Sequence, residues 1–338
     1  MSLKRVITFL PRKVHGGFKC IKEHGLRYTF DRMLVKLHLK QKKNYEYYCK
    51  LSPKKYPQEL KSWYKEKTGE TLHLNNPKTF NEKIQWLKLY DSTPIKTRLA
   101  DKYLVRDWVK EKVGEDHLVP LLGVWDKFDD IDFDKLPDKF VLKANHGSGW
   151  NIIVTDKSSL DKVKAKEDMD KWLGKNYAFQ PGLELHYMNI PPKVIAEQYI
   201  ENADGLVDYR FYCFNGKPEQ VWVDIFSGTP NHLRNIFDMD WNLLDFKCKW
   251  PQAGKKLEKK PHCFDEMKDI AIKLSEGFAF VRVDFFEIDN HVYVGEMTFT
   301  PMKGIELFYP KQWNLILGEK IILPEKSPMP KREQAQTN

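Results

Sequence analysis

Asp284 and Glu296 are two carboxylates within a single run, Phe280 to Pro301, that reads FVRVDFFEIDNHVYVGEMTFTP. The apolar alternation of Val281, Val283 and Phe285, then of Val292 and Val294, predicts two strands, with Asp289-Asn290 where a hairpin turn would fall. Pairing around that turn brings the two carboxylates near each other. Like charges so close call for a cation, and oxygen-only ligation suits Mg²⁺ bound to a nucleotide phosphate. Arg282 precedes Asp284 by two residues and so shares its strand face. An arginine there suits negative charge that develops in phosphoryl or acyl transfer. A hairpin with an ordinary surface ion pair would carry the same letters.

Lys143 closes a strand-like run from Lys139 and leads into Ala144-Asn145-His146-Gly147-Ser148-Gly149-Trp150-Asn151, before the apolar Ile152-Ile153-Val154. A loop of small residues between two strands can turn its backbone N–H groups toward phosphate oxygens, and the lysine adds a point charge. The spacing is not that of a P-loop. A helix is predicted from Ala100 to Val113, ended by Gly114. It carries Lys102, either a second phosphate ligand or a solvated helix lysine. Val194 to Ile200 reads as a buried strand, and Asp208 to Pro218 as a hairpin about Asn215-Gly216.

These pieces, in this order, resemble the ATP-grasp superfamily. VRVDFF and VYVGEMTFTP are similar to D-alanine:D-alanine ligase, and DYRFYCFNGKP to RimK-type ligases. From about Lys78 to Pro324, with FNEKIQWLKLYD, LADKYLVRDWV and FVLKANHGSGWNIIV added, the chain resembles the TupA-like branch, associated with bacterial surface polysaccharides such as teichuronopeptide. The resemblance implies an α+β fold with ATP held between two α+β subdomains. It implies that Lys102 and Lys143 hold phosphates, that His146, Gly147, Ser148 and Gly149 form the covering loop, and that Glu197, Tyr199 and Ile200 read adenine. Asp208 falls where a carboxylate meets the ribose or its surroundings, Arg210 near the γ-phosphate and acceptor, and Arg282 at the oxyanion. Asp284, Glu296 and Thr298 match the metal positions for one or two Mg²⁺. Thr298 stands where the family has Asn, and its hydroxyl is a shorter, weaker ligand. The implied reaction is ligation of a carboxylate, on an acidic sugar such as a uronic acid or on an amino acid, to an amine. It runs through an acyl phosphate and releases ADP.

The implied organisation is a basic helical extension over residues 1–57, a helical and α/β subdomain over 58–137 (with a strand at Val119 to Trp125), a central ATP-grasp subdomain over 138–202, a C-terminal one over 203–324, and a disordered tail over 325–338. Phe80 to Tyr90 reads as a helix burying Ile84, Trp86 and Leu87. Residues 1–60 hold 15 Lys and Arg against 4 Asp and Glu, whereas the whole 338-residue chain is only +9, so the remainder is slightly acidic. A near-neutral body argues against nucleic acid as partner. Residues 18–40 carry apolar side chains at helical spacing among lysines and arginines. They suit either an anionic membrane surface presenting a lipid-linked glycan or docking on the protein body. Five cysteines without a C-x-x-C pair suggest a reducing cytoplasm. The opening MSLKRVITFLPRK has too short an apolar core for a signal peptide. The expected location is therefore cytoplasmic, with a peripheral position on the inner face of the plasma membrane as the membrane reading implies.

Two enzymatic rivals remain on sequence, beside a less favoured non-catalytic role as a membrane-associated assembly protein. Asp132-Phe133-Asp134 and Asp238-Met239-Asp240 fit the D-x-D pattern of a glycosyltransferase. A kinase phosphorylating a sugar or lipid-linked hydroxyl would use the same phosphate machinery.

Overall fold

The structure is a computed structural model that describes residues 45–200, 206–257 and 259–332. The chain divides into two compact units, residues 1–51 and 52–338. Of the first, residues 45–50 are helical, Tyr48 and Leu51 are buried, and the Leu51 N–H donates to the Tyr48 carbonyl at 3.2 Å. The basic stretch 18–40 lies outside the described residues.

The second unit begins with α1 (Tyr56–Thr68), which stops at Gly69 in the left-handed region (φ 76°). Helix α2 (Phe80–Tyr90) starts at a capping box: the Thr79 hydroxyl accepts from the Glu82 N–H, and the Glu82 carboxylate accepts from the Thr79 N–H. Ile84, Trp86 and Leu87 are buried as the apolar spacing predicts, but so are Gln85 and Lys88. Next come α3 (Pro94–Ala100) and α4 (Val105–Val113).

The helix expected from Ala100 to Val113 thus starts later: Ala100 ends α3, and α4 begins only at Val105. The Asp101 backbone is extended (φ −76°, ψ 115°), and its carboxylate accepts from the N–H groups of Tyr103 (2.8 Å) and Leu104 (3.3 Å). Those side-chain bonds take the place of helical ones, so Asp101 opens α4 rather than continuing α3. Lys102 consequently sits on a turn, and its N–H donates to the Asn145 carbonyl at 3.1 Å.

Strands β1 (Leu121–Trp125), β2 (Phe140–Ala144) and β3 (Asn151–Val154), helix α5 (Lys162–Leu173) and strand β4 (Val194–Gln198) build the first layer. The sheet is antiparallel in the order β1-β4-β2-β3, so it recruits β1 from before residue 138. Phe140, Leu142, Val194 and Ala196 pack with Ala165 and Met169 of α5. The second sheet has β5 (Val207–Phe214), β6 (Lys217–Ile225), β7 (Leu233–Phe237), β8 (Phe280–Ile288) and β9 (His291–Thr298) in the order β7-β6-β5-β8-β9, all antiparallel. Helix α6 (Phe264–Ser275) covers one face of it, and α7 (Gln312–Lys320) packs against α2.

The two predicted tight turns are present, with Asn215-Gly216 (φ 50° and 78°) and Asp289-Asn290 (φ 51° and 59°) all left-handed. The tail differs from expectation: residues 325–332 lie on the body. The Ser327 N–H donates to the Tyr90 carbonyl (2.8 Å), Asn189 Nδ2 donates to the Lys331 carbonyl (2.9 Å), and Lys326 Nζ stands 4.7 Å from the Tyr90 ring. Polar composition suggested disorder, but backbone bonds and cation–π contacts hold this segment. No described helix is long and apolar enough to cross a membrane.

Candidate functional site

The five-stranded sheet separates apolar from charged residues by the period of two that a strand imposes. On β5, Phe211 and Cys213 enter the core beneath α6, whereas Asp208, Arg210 and Tyr212 take the other face. Val283 and Phe285 of β8 do the same against Arg282 and Asp284. Each fully buried large apolar side chain stabilises by roughly 1.5–3 kcal/mol, so the register that exposes the charged face is strongly specified.

Asp284 lies directly opposite Glu296 across β8 and β9, but only because of a bulge. Val292 and Val294 point into the core, and strict alternation would send Glu296 after them. The pairing slips between Asp284 and Phe285, leaving Gly295 as the extra residue and returning Glu296 and Thr298 to the charged face, with Met297 buried behind. A Cβ on Gly295 would lie 2.8 Å from Phe286 Cε2, so the bulge is packed around a bare backbone.

Arg282 is the centre of the pair. Its Nε donates to Asp284 Oδ1 (2.6 Å), and one terminal nitrogen reaches Asp284 Oδ2 (2.5 Å), Glu296 Oε1 (2.9 Å) and Thr298 Oγ1 (3.1 Å). Burial pushes Asp284 up to about 6, with Arg282 opposing and Glu296 adding. Burial would raise Glu296 as well, but Arg282 and then Lys102 hold it down to about 2. The two carboxylates are therefore shifted in opposite directions, Asp284 up and Glu296 down. The donors Asp284, Glu296 and Thr298 are all oxygens, the kind a hard divalent cation takes. No group of three His, Cys, Asp or Glu placed to hold a metal ion exists among the described residues. A Mg²⁺ at this pair would thus draw its remaining ligands from phosphates and water, as Mg²⁺ commonly does, and the residues fit it.

Arg210 links this pair to a second charged group. It donates to Asp208 (2.9 Å), pairs with Asp224 (2.8 Å), and keeps Nε 3.9 Å from Asp284 Oδ2 without a hydrogen-bond partner. Asp224, fully buried on β6, also receives two bonds from Arg234 (2.5 and 2.7 Å) and has His232 Nε2 at 3.1 Å. Burial alone would raise its pKa, but Arg234 and the other cations drive it well below the usual carboxylate range. The sequence reading missed Asp224 and Arg234. Continuing the even-numbered face of β5 onto VWVDIF and LRNIF would have found them, since Asp224 opposes both Asp208 and Arg234.

Lys143 comes from the other sheet and Lys102 from the turn between α3 and α4. Lys143 Nζ pairs with Glu197 Oε2 at 2.5 Å, and Arg106 reaches the same carboxylate at 3.4 Å. Lys102 Nζ donates to the Gly147 carbonyl. Burial lowers the pKa of Lys102, Glu296 opposes, and Lys143 adds, so this ammonium lies within electrostatic reach of both sheets' charges. The charges thus form two groups, Lys143 with Glu197 on one sheet and Arg282, Asp284, Glu296 and Thr298 on the other, with Arg210 and its partner Asp208 beside the second; Lys102 feels charges from both.

Other predicted residues lie differently. The His146 ring, expected in a covering loop, is buried, and its Nε2 faces the carbonyls of Trp172 (3.2 Å) and Lys175 (3.0 Å). It anchors the loop from inside, and burial lowers its pKa. Gly147 is buried against the Trp150 ring, and Ser148 and Gly149 are the exposed part of the loop. Tyr199 follows the end of β4 and lines a groove with Leu122, Leu136, Pro137 and Lys139, and Ile200 after it is half-buried. Both D-x-D pairs are turn devices: Asp132 accepts from the Asp134 N–H, and Asp238 accepts from the N–H groups of Asp240 and Asn242.

Two antiparallel sheets with a charged cleft face and facing lysines define an ATP-grasp architecture. A family profile described as TupA-like ATPgrasp matches residues 82–322. The chain belongs to the TupA-like ATP-grasp family. Among solved structures it is similar to D-alanine–D-alanine ligase from Bacillus anthracis complexed with ATP (17% identity, 66% of each chain covered, TM-score 0.42). It is similar also to the Helicobacter pylori D-alanine–D-alanine ligase (16% identity, 74% of this chain and 68% of that chain, TM-score 0.41). A third is the ATP-grasp ligase PsnB complexed with minimal precursor, Mg and ADP (11% identity, 62% and 53% covered, TM-score 0.35). The chain spans just under two thirds of the first of these, at 66%. No curated protein matches the sequence.

Proposed function

We propose that this protein is an ATP- and Mg²⁺-dependent ligase that joins a carboxylate of a uronic acid or amino acid to an amine during assembly of a bacterial surface polysaccharide. The observation that carries this reading is Asp284 opposite Glu296 under Arg282, with Lys102 in electrostatic reach of Glu296. Lys102 and Lys143 neutralise the triphosphate of the ATP substrate. Mg²⁺, held by Asp284 and Glu296 with Thr298 beside them, would supply charge neutralisation on the phosphate oxygens. Arg282 and the free Nε of Arg210 share one sheet face and stabilise the oxyanion formed when an amine attacks the acyl phosphate. No enzyme nucleophile is needed. Ser148 and Gly149, exposed at the loop tip, are the residues that close over the intermediate and exclude water. Residues 18–40 would hold the protein beside a lipid-linked acceptor on the cytoplasmic side.

The test is a screen for ADP release with uronic acids, their nucleotide-linked forms, amino acids and amino alcohols. ADP and inorganic phosphate should appear only when acid and amine are both present. A phosphorylated product instead would identify a kinase, and consumption of nucleotide sugar without ATP a glycosyltransferase. Arg282→Ala should keep MgATP binding and lose coupling. Ligation at the wild-type rate in that variant would overturn the assignment.

A further inference from the structure

Beside the charged sheet face lies a second group of charges that the site described above does not use. Glu184 is 5% exposed and sits in a loop whose Gly182 and Leu183 are left-handed (φ 105° and 47°). The Thr300 hydroxyl donates to its Oε1 at 2.5 Å, but its Oε2 is buried without a hydrogen-bond partner. A buried carboxylate oxygen left unpaired is costly, which argues that a ligand supplies the missing donor. The nearest cation is Lys303 Nζ at 3.7 Å, too far for a hydrogen bond, and its side chain is 29% exposed, the solvent-reaching member of the pair.

Lys303 is itself held in an unusual way. Met302, Lys303 and Gly304 are all left-handed (φ 48°, 56° and 66°), and they come shortly after β9 with its Glu296 and Thr298, beyond Phe299, Thr300 and Pro301. The buried Lys88 ammonium clamps this loop to the Glu184 loop by donating to the carbonyls of Lys303 (2.6 Å) and Gly182 (2.8 Å). Gln85 Nε2 adds bonds to the Lys303 and Gly304 carbonyls (2.9 and 2.6 Å). Two strained loops are thus locked in register, with one carboxylate and one ammonium side by side. The Tyr177 and Tyr187 hydroxyls are pushed up by burial and then by the charges of Glu184 and Glu296.

We propose that Glu184 and Lys303 bind the nucleophilic substrate, an amine carrying an anionic group on a neighbouring carbon, and that Glu184 takes up the proton that frees the attacking nitrogen. The proposal rests on the ligase reading above. Lys303 swings on its flexible stem to meet the anion, which uncovers Oε2 for the ammonium. One proton of the ammonium passes to Glu184, and the nitrogen lone pair forms the C–N bond. The C–O bond to phosphate breaks with its electron pair, and phosphate carries away the second proton as hydrogen phosphate. Lys88 and Gln85 are positioning residues for this pair.

The test uses the full chain with MgATP, D-glucuronate or UDP-D-glucuronate as the carboxylate, and glycine, ethanolamine or hydroxylamine as nucleophile. Hydroxylamine is largely unprotonated at neutral pH and traps an acyl phosphate without a base. Wild type should favour glycine over ethanolamine by about tenfold or more, the anion being read by one ion pair. Glu184→Gln should keep hydroxamate formation and MgADP affinity while glycine coupling at pH 7 falls by about 100-fold or more, and its rate should recover as pH rises. Lys303→Met should bring glycine and ethanolamine to within about threefold of each other, the lost ion pair removing the preference. Should Glu184→Gln lose MgADP binding through misfolding, the Lys303→Met comparison decides alone. Glycine coupling at the wild-type rate in Glu184→Gln, or an undiminished glycine preference in Lys303→Met, would overturn the proposal. Absence of hydroxamate with wild type, with these carboxylates and with uronic acids and amino acids generally, would instead bring down the ligase reading, and this proposal with it.

Discussion

Replacing Arg282 with alanine removes the guanidinium that bonds Asp284 at 2.5 and 2.6 Å and Glu296 at 2.9 Å, leaving two buried carboxylates opposite each other. Breaking a buried ion pair on one side typically costs about 3–5 kcal/mol. For a unit of this size each kcal/mol moves the melting temperature by about 2–4 °C, so a fall of about 6–20 °C is expected at pH 8. The cost should depend on pH in a fixed direction. Burial already raises Asp284 to about 6, and its folded form binds protons more tightly than the unfolded chain does. It therefore loses stability as pH rises from about 4 through 6. Glu296, held down to about 2, works the opposite way: its contribution is present above its unfolded value and lost as pH falls toward 2. Without Arg282, Asp284 must climb further, because burial and the Glu296 charge both raise it and the main opposing cation is gone. At pH 5 it then takes a proton and relieves the repulsion, whereas at pH 8 the variant carries the full penalty. Calorimetric melting of wild type and variant at pH 5 and pH 8 measures this directly. An equal melting difference at both pH values would refute the reasoning.

Three further outcomes follow from the same geometry. Gly295→Ala should cost about 1–3 kcal/mol by overpacking Phe286, and should weaken Mg²⁺-dependent nucleotide binding, because relaxing the bulge turns Glu296 away from Asp284. Thermal melting and nucleotide titration with and without Mg²⁺ check both. Asp224→Asn leaves Arg234 and Arg210 short of a buried partner and should destabilise by about 3–5 kcal/mol at pH 7. Because the folded pKa of Asp224 is lowered, its stabilisation exists above the unfolded value near 4 and fades as pH falls below that, so the variant should lose part of the acid-unfolding limb in urea titrations. Lys143→Ala should weaken MgATP binding by about 10–100-fold, the worth of one charge-assisted bond, with little effect on melting because its Glu197 partner keeps Arg106.

Alternation in β5, β8 and the first half of β9 was legible in the chain itself, because a strand buries every second residue and the valines and phenylalanines mark which. The two hairpin turns were legible for a similar reason, since few residues besides Asn, Asp and Gly tolerate the left-handed region they require. The same letters also bring Arg282 and Asp284 to one face. They do not by themselves bring Glu296 there: parity pairs it with Val294 in the core, and only the slip at Gly295, made possible by the Phe286 ring lying over a residue without a Cβ, returns it to the charged side. Helix periodicity likewise ran through Asp101, where a side-chain carboxylate competing for backbone N–H groups ended one helix and began another. Asp224 and Arg234 become legible only once their strands are placed beside β5, whereas Glu184 and Lys88 had no local signature, for their partners lie on other elements: Glu184 with Thr300, and Lys88 with Gly182 and Lys303. A charge inside a protein is tolerated only through such partners, and which of them meet is decided when the sheets and loops pack together.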